Sequence, residues 1–337
     1  MLLNDNFNSM RRRLIQSTAA SIALGAGAGF ALPAFAAQET GTRNTNTVRL
    51  TWGPGGMPRL AKDRGVFEKT LAKQGIKVEW VGPFPNHSPT LQAVVGGSAD
   101  FGFYGSTTPT LAALIAGSPL VFTQFFAVTP SSTAIIVKKD SAINSVKDLV
   151  GKSVAINRSG LGEFLLVAAL EKYSIAREKV RFVYLNPPDA APAFGQGKVD
   201  AWSMWSPGVD IAREKYNGKD IFLEGRDLDF VIDYSTLVTT RKFVTENSAL
   251  VRAVINAYTE EGKWADEHIA ESEAIYQNAG KYGDSTRDYL ISLNRKRHFY
   301  EPDDPDFLKK FQWAADWLTE RSIISRKVNV ADYVVKT

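Results

Sequence analysis

The residues in this chain best suited to chemistry are hydroxyls and glycines at points where short strands give way to helices. Asn157-Arg158-Ser159-Gly160-Leu161-Gly162 follows the apolar run Val154 to Ile156 and leads into a helix from Glu163 to Tyr173. Such a loop aims free backbone N–H groups and the positive end of a helix dipole at whatever lies before it, so an anion fits there. The same loop also serves as a plain tight connection, and the motif alone does not choose. Gly53-Pro54-Gly55-Gly56, after the strand Val48 to Trp52, offers either a close backbone approach to a ligand or a simple turn. His87 precedes Ser88-Pro89, which read as an N-cap and first helical residue. It is either a loop residue facing solvent or a ligand donor at a strand end. Trp202 and Trp205 flank another strand exit and are either core or pocket wall.

Other chemistries find no residues to carry them. The chain has no cysteine, which removes disulfides, thiol nucleophiles and cysteine zinc sites. His87, His268 and His298 are too far apart in sequence to suggest a metal site. No serine elbow or cofactor lysine appears, so neither catalysis nor a cofactor is expected.

The elements that must position these residues come in two similar sets. Ala93 to Ser106 and Ala193 to Ser206 align at a constant offset of 100, matching Gly97 with Gly197, Asp100 with Asp200 and Ser106 with Ser206. Each copy reads as a helix end, a glycine turn, a short buried strand and a serine exit into the next helix. The preceding strands, Ile76 to Val81 and Val180 to Leu185, recur as well. Two such βαβ units predict an α/β protein of two lobes, each presenting strand ends to the space between them.

Length and composition agree with that plan. The 337 residues suit about two domains, and 44% hydrophobic with 23% charged residues is ordinary globular material. Residues 1–37 read as an export signal: Arg11-Arg12-Arg13-Leu14-Ile15, an apolar run from Ala19 to Ala31, then Ala34-Phe35-Ala36 as the cleavage pattern. The paired arginines resemble a twin-arginine signal, with Gln16 where lysine is frequent. The formal charge of +4 lies partly in this leader, and no basic block of nucleic-acid character remains. A soluble periplasmic monomer is expected.

Composition turns polar at Lys138-Lys139-Asp140, which places the first passage between lobes near 138 to 142. The β-branched run Tyr234 to Thr240 reads as the return strand. The lobes are then 47–139 with 235–337, and 140–234. Beyond Asn247 the chain reads as helical throughout, with Trp264, Trp313 and Trp317 as core at helical spacing.

Trp52-Gly-Pro-Gly-Gly, Ala61-Lys-Asp-Arg-Gly-Val-Phe-Glu68, Gly97-Ser-Ala-Asp-Phe-Gly102, Asp140-Ser-Ala-Ile143, Val146 to Val154, Gly197-Lys-Val-Asp-Ala-Trp202 and Arg241-Lys-Phe-Val244 together resemble the periplasmic solute-binding proteins of ABC importers, of the aliphatic-sulfonate, taurine and nitrate type. The resemblance covers essentially the whole chain after the leader. It implies the two-lobed type II periplasmic-binding-protein fold, mostly parallel sheets flanked by helices, two crossover strands, a ligand in the cleft and a membrane permease as partner. Carried over by position, the pocket comprises Gly55, Gly56, His87, Ser106, Thr107, Thr108, Arg158, Ser159, Gly160, Gly162, Trp202, Trp205 and Ser206, and Trp52 joins them as apolar surface. The chain departs from the family at Gly105-Ser106-Thr107-Thr108, where Gly-Asp or Gly-Asn is frequent, and before Glu163, where Lys-Gly-Ser order is missing.

Many N–H and O–H donors around the single cation Arg158 favour a small organic monoanion, and the aromatic surface favours a sulfonate with a carbon tail over nitrate. The alternatives are an aromatic carboxylate, an uncharged heterocycle, a related enzyme of pyrimidine-precursor synthesis, and a sensor domain.

Overall fold

The computed structural model describes residues 45–231 and 233–337, so the leader and its arginines lie outside the described residues. In chain order, the first part contains β1 (Thr47–Thr51), α1 (Gly56–Arg64), α2 (Val66–Ala72), β2 (Lys77–Val81), α3 (His87–Val95), β3 (Gly102–Ser106), α4 (Thr107–Ile115), β4 (Leu120–Thr129) and β5 (Ala134–Lys138). Then follow β6 (Ser153–Ile156), α5 (Leu161–Lys172), β7 (Arg181–Tyr184), α6 (Pro187–Gly195), β8 (Ala201–Met204), α7 (Gly208–Lys215), β9 (Gly218–Leu223), α8 (Glu224–Asp227) and β10 (Ser235–Thr240). The last part is α9 (Arg241–Glu246), α10 (Ser248–Glu267), α11 (Ile269–Gly280), α12 (Asp284–Ser292), β11 (Lys296–Tyr300) and α13 (Pro305–Glu320).

The two repeat copies fold alike because their punctuation is local. Gly97 and Gly197 follow α3 and α6 with φ of +72° and +69°, a left-handed turn that costs glycine nothing. Three residues later each copy has an aspartate that grips a neighbouring strand. Asp100 Oδ2 accepts the Arg49 N–H at 2.7 Å, and Asp200 Oδ2 accepts the Ser153 N–H at 2.8 Å. The carboxylate thereby fixes the register of β1 beside the approach to β3, and of β6 beside β8.

Two equivalent sheets result. One has the order β7-β6-β8-β5-β9. The other has β3-β10-β4-β11, and the parallel pair β1–β2 joins it through a bridge between Leu50 and Phe101. Each carries an antiparallel strand inserted from beyond its own repeat unit, β10 between β3 and β4 and β5 between β8 and β9, and β11 adds a second antiparallel strand at the edge of the first sheet. The continuous apolar character of β4, β5, β6 and β8 follows from burial on both faces, under helices.

The expected position of the first passage needs correction. β5 hydrogen-bonds to β8 and β9 in the five-stranded sheet, so the chain changes sheets at 130–133, before β5. Lys138 marks the end of a strand and not the change of lobe. An Ala-Ile-Ile-Val run satisfies the centre of either sheet, and only pairing decides. The return runs from Leu223 to Ser235.

The C-terminal helices cover the first sheet. Trp317 is buried and meets Phe164 of α5 edge-on at 5.7 Å, and Trp264 is half-buried. Trp313, expected in the core, is 48% exposed, because it lies on the outer face of α13 beside Phe230. β11 was not expected, since Lys296-Arg-His-Phe-Tyr300 is too charged to read as a strand. It pairs with the end of β4.

Candidate functional site

A cavity of about 380 Å³ lies where the two sets of strand ends face each other. Its walls include Gly55 and Gly56 at the start of α1, His87 and Ser88 at the start of α3, Ser106 before α4, Leu161 at the start of α5, and Ser206 and Pro207 before α7. Five helix N-termini, from both sheets, therefore open on one space. The start of α1, with Gly55 as N-cap, has no side-chain cap, which leaves backbone N–H groups for a ligand, whereas at the start of α5 the Asn157 side chain takes the Gly162 N–H. Phe103 and Trp205 add aromatic surface.

His87 is the first residue of α3 and is 5% exposed, neither on a solvent-facing loop nor ahead of the helix. The cap is Asn86, whose side chain accepts from the Ser88 N–H. Nδ1 of His87 lies 2.9 Å from the Ser106 carbonyl and donates to it, and burial drives the imidazole down to about 4, so the ring is neutral. Nε2 then carries a lone pair and has no partner among the described residues. It presents an acceptor to the cavity. The ring stacks on Phe103 at 5.6 Å. A Cβ at Gly105 would come within 2.4 Å of the His87 ring carbon, so only glycine allows this packing.

The hydroxyls after β3 are already in use. Ser106 Oγ donates to Asp233 Oδ1 at 2.6 Å, Thr107 Oγ1 at 3.1 Å and Thr108 Oγ1 at 3.4 Å. The protein's own carboxylate occupies the place the sequence suggested for a ligand oxygen. Burial raises Asp233 to about 6 against the pull of these hydroxyls and nearby amides. Glu224, also on the wall, rises to about 7 through burial, partly offset by Ser131 and Thr133. Ser131 Oγ donates to Glu224 at 2.5 Å and so ties one passage between the sheets to the other.

Gly55, Gly56, His87, Ser106, Trp205 and Ser206 line the cavity as expected, while several other candidates sit elsewhere. Arg158 is exposed, its guanidinium 3.7 Å from the centre of the Tyr184 ring. The Ser159 N–H donates to Glu163 at 2.7 Å, and its hydroxyl bonds the Ile323 carbonyl at 3.3 Å. Gly160 and Gly162 pack around Asn157, whose Oδ1 accepts the Gly162 N–H at 3.1 Å. Asn157 itself reaches the cavity. Thr107 and Thr108 are buried beneath the wall, Trp202 packs on Phe194 in the core, and Trp52 lies under Lys62 and Arg59.

The cations that do reach the cavity are Arg295 and Arg297, on and just before β11. Sequence reasoning passed over them because no motif surrounds them. The available signal was period two: Arg297 and Phe299 turn inward while Lys296 and His298 are exposed. Asn86 and Asn186, equivalent N-caps of α3 and α6, meet across the cleft at 3.0 Å.

Residues 60–271 match the family described as NMT1/THI5 like. The chain belongs to the NMT1/THI5-like family. Its relatives include a Bacillus subtilis protein named for binding aliphatic sulfonates, 29% identical over 278 residues that span 82% of each chain. The alkanesulfonate-binding protein SsuA from Xanthomonas axonopodis pv. citri, solved bound to MOPS, superposes with a TM-score of 0.79 at 23% identity, covering 87% of this chain and 99% of its own. The desulfurization enzyme DSZB also superposes, with a TM-score of 0.61 at 16% identity, covering 86% of this chain and 96% of its own. The fold is that of the periplasmic binding proteins.

Proposed function

We propose that the protein is the extracytoplasmic solute-binding component of an ABC importer and captures a sulfonate in this cavity. The observation that carries the reading is the convergence of five helix N-termini from two sheets on one space. One of them is taken by Asp233. At 0.3–1 kcal/mol for each terminus, the other four stabilise an anion by about 1 to 4 kcal/mol. Three oxygens of a sulfonate can share such scattered donors, and Phe103 and Trp205 cover its carbon tail. The NMT1/THI5-like relative named for aliphatic sulfonates supports the same ligand class.

The mechanism is closure. The first lobe comprises 47–129 and 235–337, the second 134–223, and the segments 130–133 and 224–234 are the hinge. Because the N-termini belong to both lobes, an anion binds best when they approach, and Asn86 with Asn186 and Arg321 with Glu171 join across the closed cleft. A membrane permease then takes the loaded, monomeric protein. Residues 1–37 direct it to the periplasm through the twin-arginine route. DSZB places an enzyme on this fold, but the present chain has no cysteine to serve as a thiol nucleophile, which favours binding over catalysis.

Calorimetry with a series of alkanesulfonates, benzoates, nitrate and uncharged heterocycles tests the reading. Sulfonates are expected to bind and to reduce the radius of gyration in small-angle scattering. Binding by uncharged compounds alone overturns it. Arg11 and Arg12 replaced by lysine are expected to leave precursor in the cytoplasm.

A further inference from the structure

The cavity continues past the strand ends to a second wall beneath the hinge, and that wall is polar where a plain alkyl tail calls for carbon. It is formed by Ser132, Glu273, Tyr276, Tyr282, Arg295 and Arg297. Arg295 donates to Ser132 Oγ at 2.8 Å but meets Glu273 only at 3.5 Å, and the Tyr282 hydroxyl reaches the same carboxylate only at 3.4 Å. Arg297 is paired through Nη1 with Asp266 at 2.5 Å, yet among the described residues its Nε–H has no partner, and the Tyr276 hydroxyl has none either. Both atoms are shielded from bulk water. Two guanidinium groups and the Tyr282 phenol thus share Glu273 and Asp266, and the Arg297 Nε–H and the Tyr276 hydroxyl are left over. Unpaired buried donors are costly, and an arriving oxygen relieves them.

We propose that this wall is a second subsite that accepts an oxygen at the far end of the ligand, a hydroxyl, ether or carboxylate oxygen, so that the protein selects sulfonates with an oxygen-bearing tail over plain alkanesulfonates. The inference rests on the sulfonate reading above for the head group. The balance of charge also fits: Glu273 and Asp266 already offset the two arginines, so the subsite needs an acceptor more than it needs net negative charge. Tail recognition then depends on hydrogen bonds, and the head group supplies the anion.

The test uses the full chain and calorimetry on matched ligands of two to four carbons: each alkanesulfonate, its terminally hydroxylated counterpart and the corresponding sulfocarboxylate. The oxygen-tailed member at the best length is expected to bind about tenfold more tightly than its alkyl partner. In Tyr276→Phe and in Arg297→Lys that ratio is expected to shrink to about twofold or less, since each loses a donor to the tail. Equal or tighter binding of the plain alkanesulfonates at every length overturns the proposal, as does a ratio that survives both substitutions. If no sulfonate binds at all, the head-group reading falls first and this inference with it.

Discussion

The two repeat copies share a frame and differ at the face they turn to the cavity. Asp100 and Asp200 each clamp a strand, and Gly97 and Gly197 each turn the chain the same way. At the cavity the partners exchange roles. Position 87 is histidine and its counterpart 187 is proline, whereas position 105 is glycine and 205 is tryptophan. The first copy brings its ring on a helix start and clears space for it with glycine. The second brings its ring on the strand exit. The serines diverge too: Ser106 donates to Asp233 from the hinge, while Ser206 donates to Asp210 of the following helix at 2.5 Å. The first copy is thus wired to the hinge and the second is self-contained. The two copies agree in what builds the strands and differ in what faces the cavity.

The frame is not equally stressed in the two halves, and Asp100→Ala against Asp200→Ala exposes the difference. Asp100 is buried and also holds Arg49 at 2.6 Å, so its loss strands a partly buried guanidinium and is expected to cost about 3 to 5 kcal/mol. Asp200 has no ion-pair partner within 4 Å among the described residues and accepts mainly from Ser153, so about 1 to 2 kcal/mol is expected there. Urea denaturation of both variants measures this, and equal losses break the asymmetry.

Gly105→Ala comes next. The added methyl collides with the His87 ring, so a loss of about 1 to 3 kcal/mol in stability is expected, with sulfonate binding weakened by about tenfold. Thermal melts and calorimetry report the two effects separately. A variant that binds normally shows that His87 is not part of the wall that matters.

The hinge wiring predicts a pH effect. Asp233, raised to about 6, is charged above that value and neutral below it, and Glu224 behaves likewise at about 7. His87, lowered to about 4, stays neutral over the same range. A sulfonate near these carboxylates is therefore expected to bind about fivefold more tightly at pH 5.5 than at pH 7.5. Asp233→Asn should bind more tightly at pH 7.5 and flatten the profile, leaving the part due to Glu224. An unchanged slope separates Asp233 from the ligand. Folding stability carries the same sign: the folded state holds protons on these two groups that the unfolded chain has released, so their contribution falls as pH rises from about 4 to about 7.

The smallest effect is expected where equivalent residues of the two halves, Asn86 and Asn186, hydrogen-bond to each other. Asn86→Ala removes the bond to Asn186, and about 0.5 to 1.5 kcal/mol of closure energy goes with it, a few-fold loss in affinity. Because Asn86 also caps α3, Asn186→Ala is the cleaner partner, since the Asn186 side chain makes no cap bond.

Much of this was readable before any coordinates, and the reason is distance along the chain. Caps, glycine turns and strand periodicity act within a few residues, so the residue pattern already determined the repeat, the two sheets and the helix starts that face each other. The family resemblance rests on those same local pieces. Tertiary structure decided the rest. β5 fits either sheet by composition, and only its pairing with β8 assigns it. Ser106 and Asp233 are 127 positions apart, and nothing in either neighbourhood announces the other. Arg158, within the predicted anion loop, stacks on Tyr184, whereas Arg295 and Arg297 reach the cavity from just before and within a strand too charged to be recognised. A side chain's direction at a loop end is set by which surfaces pack around it, and that packing joins segments the sequence keeps far apart.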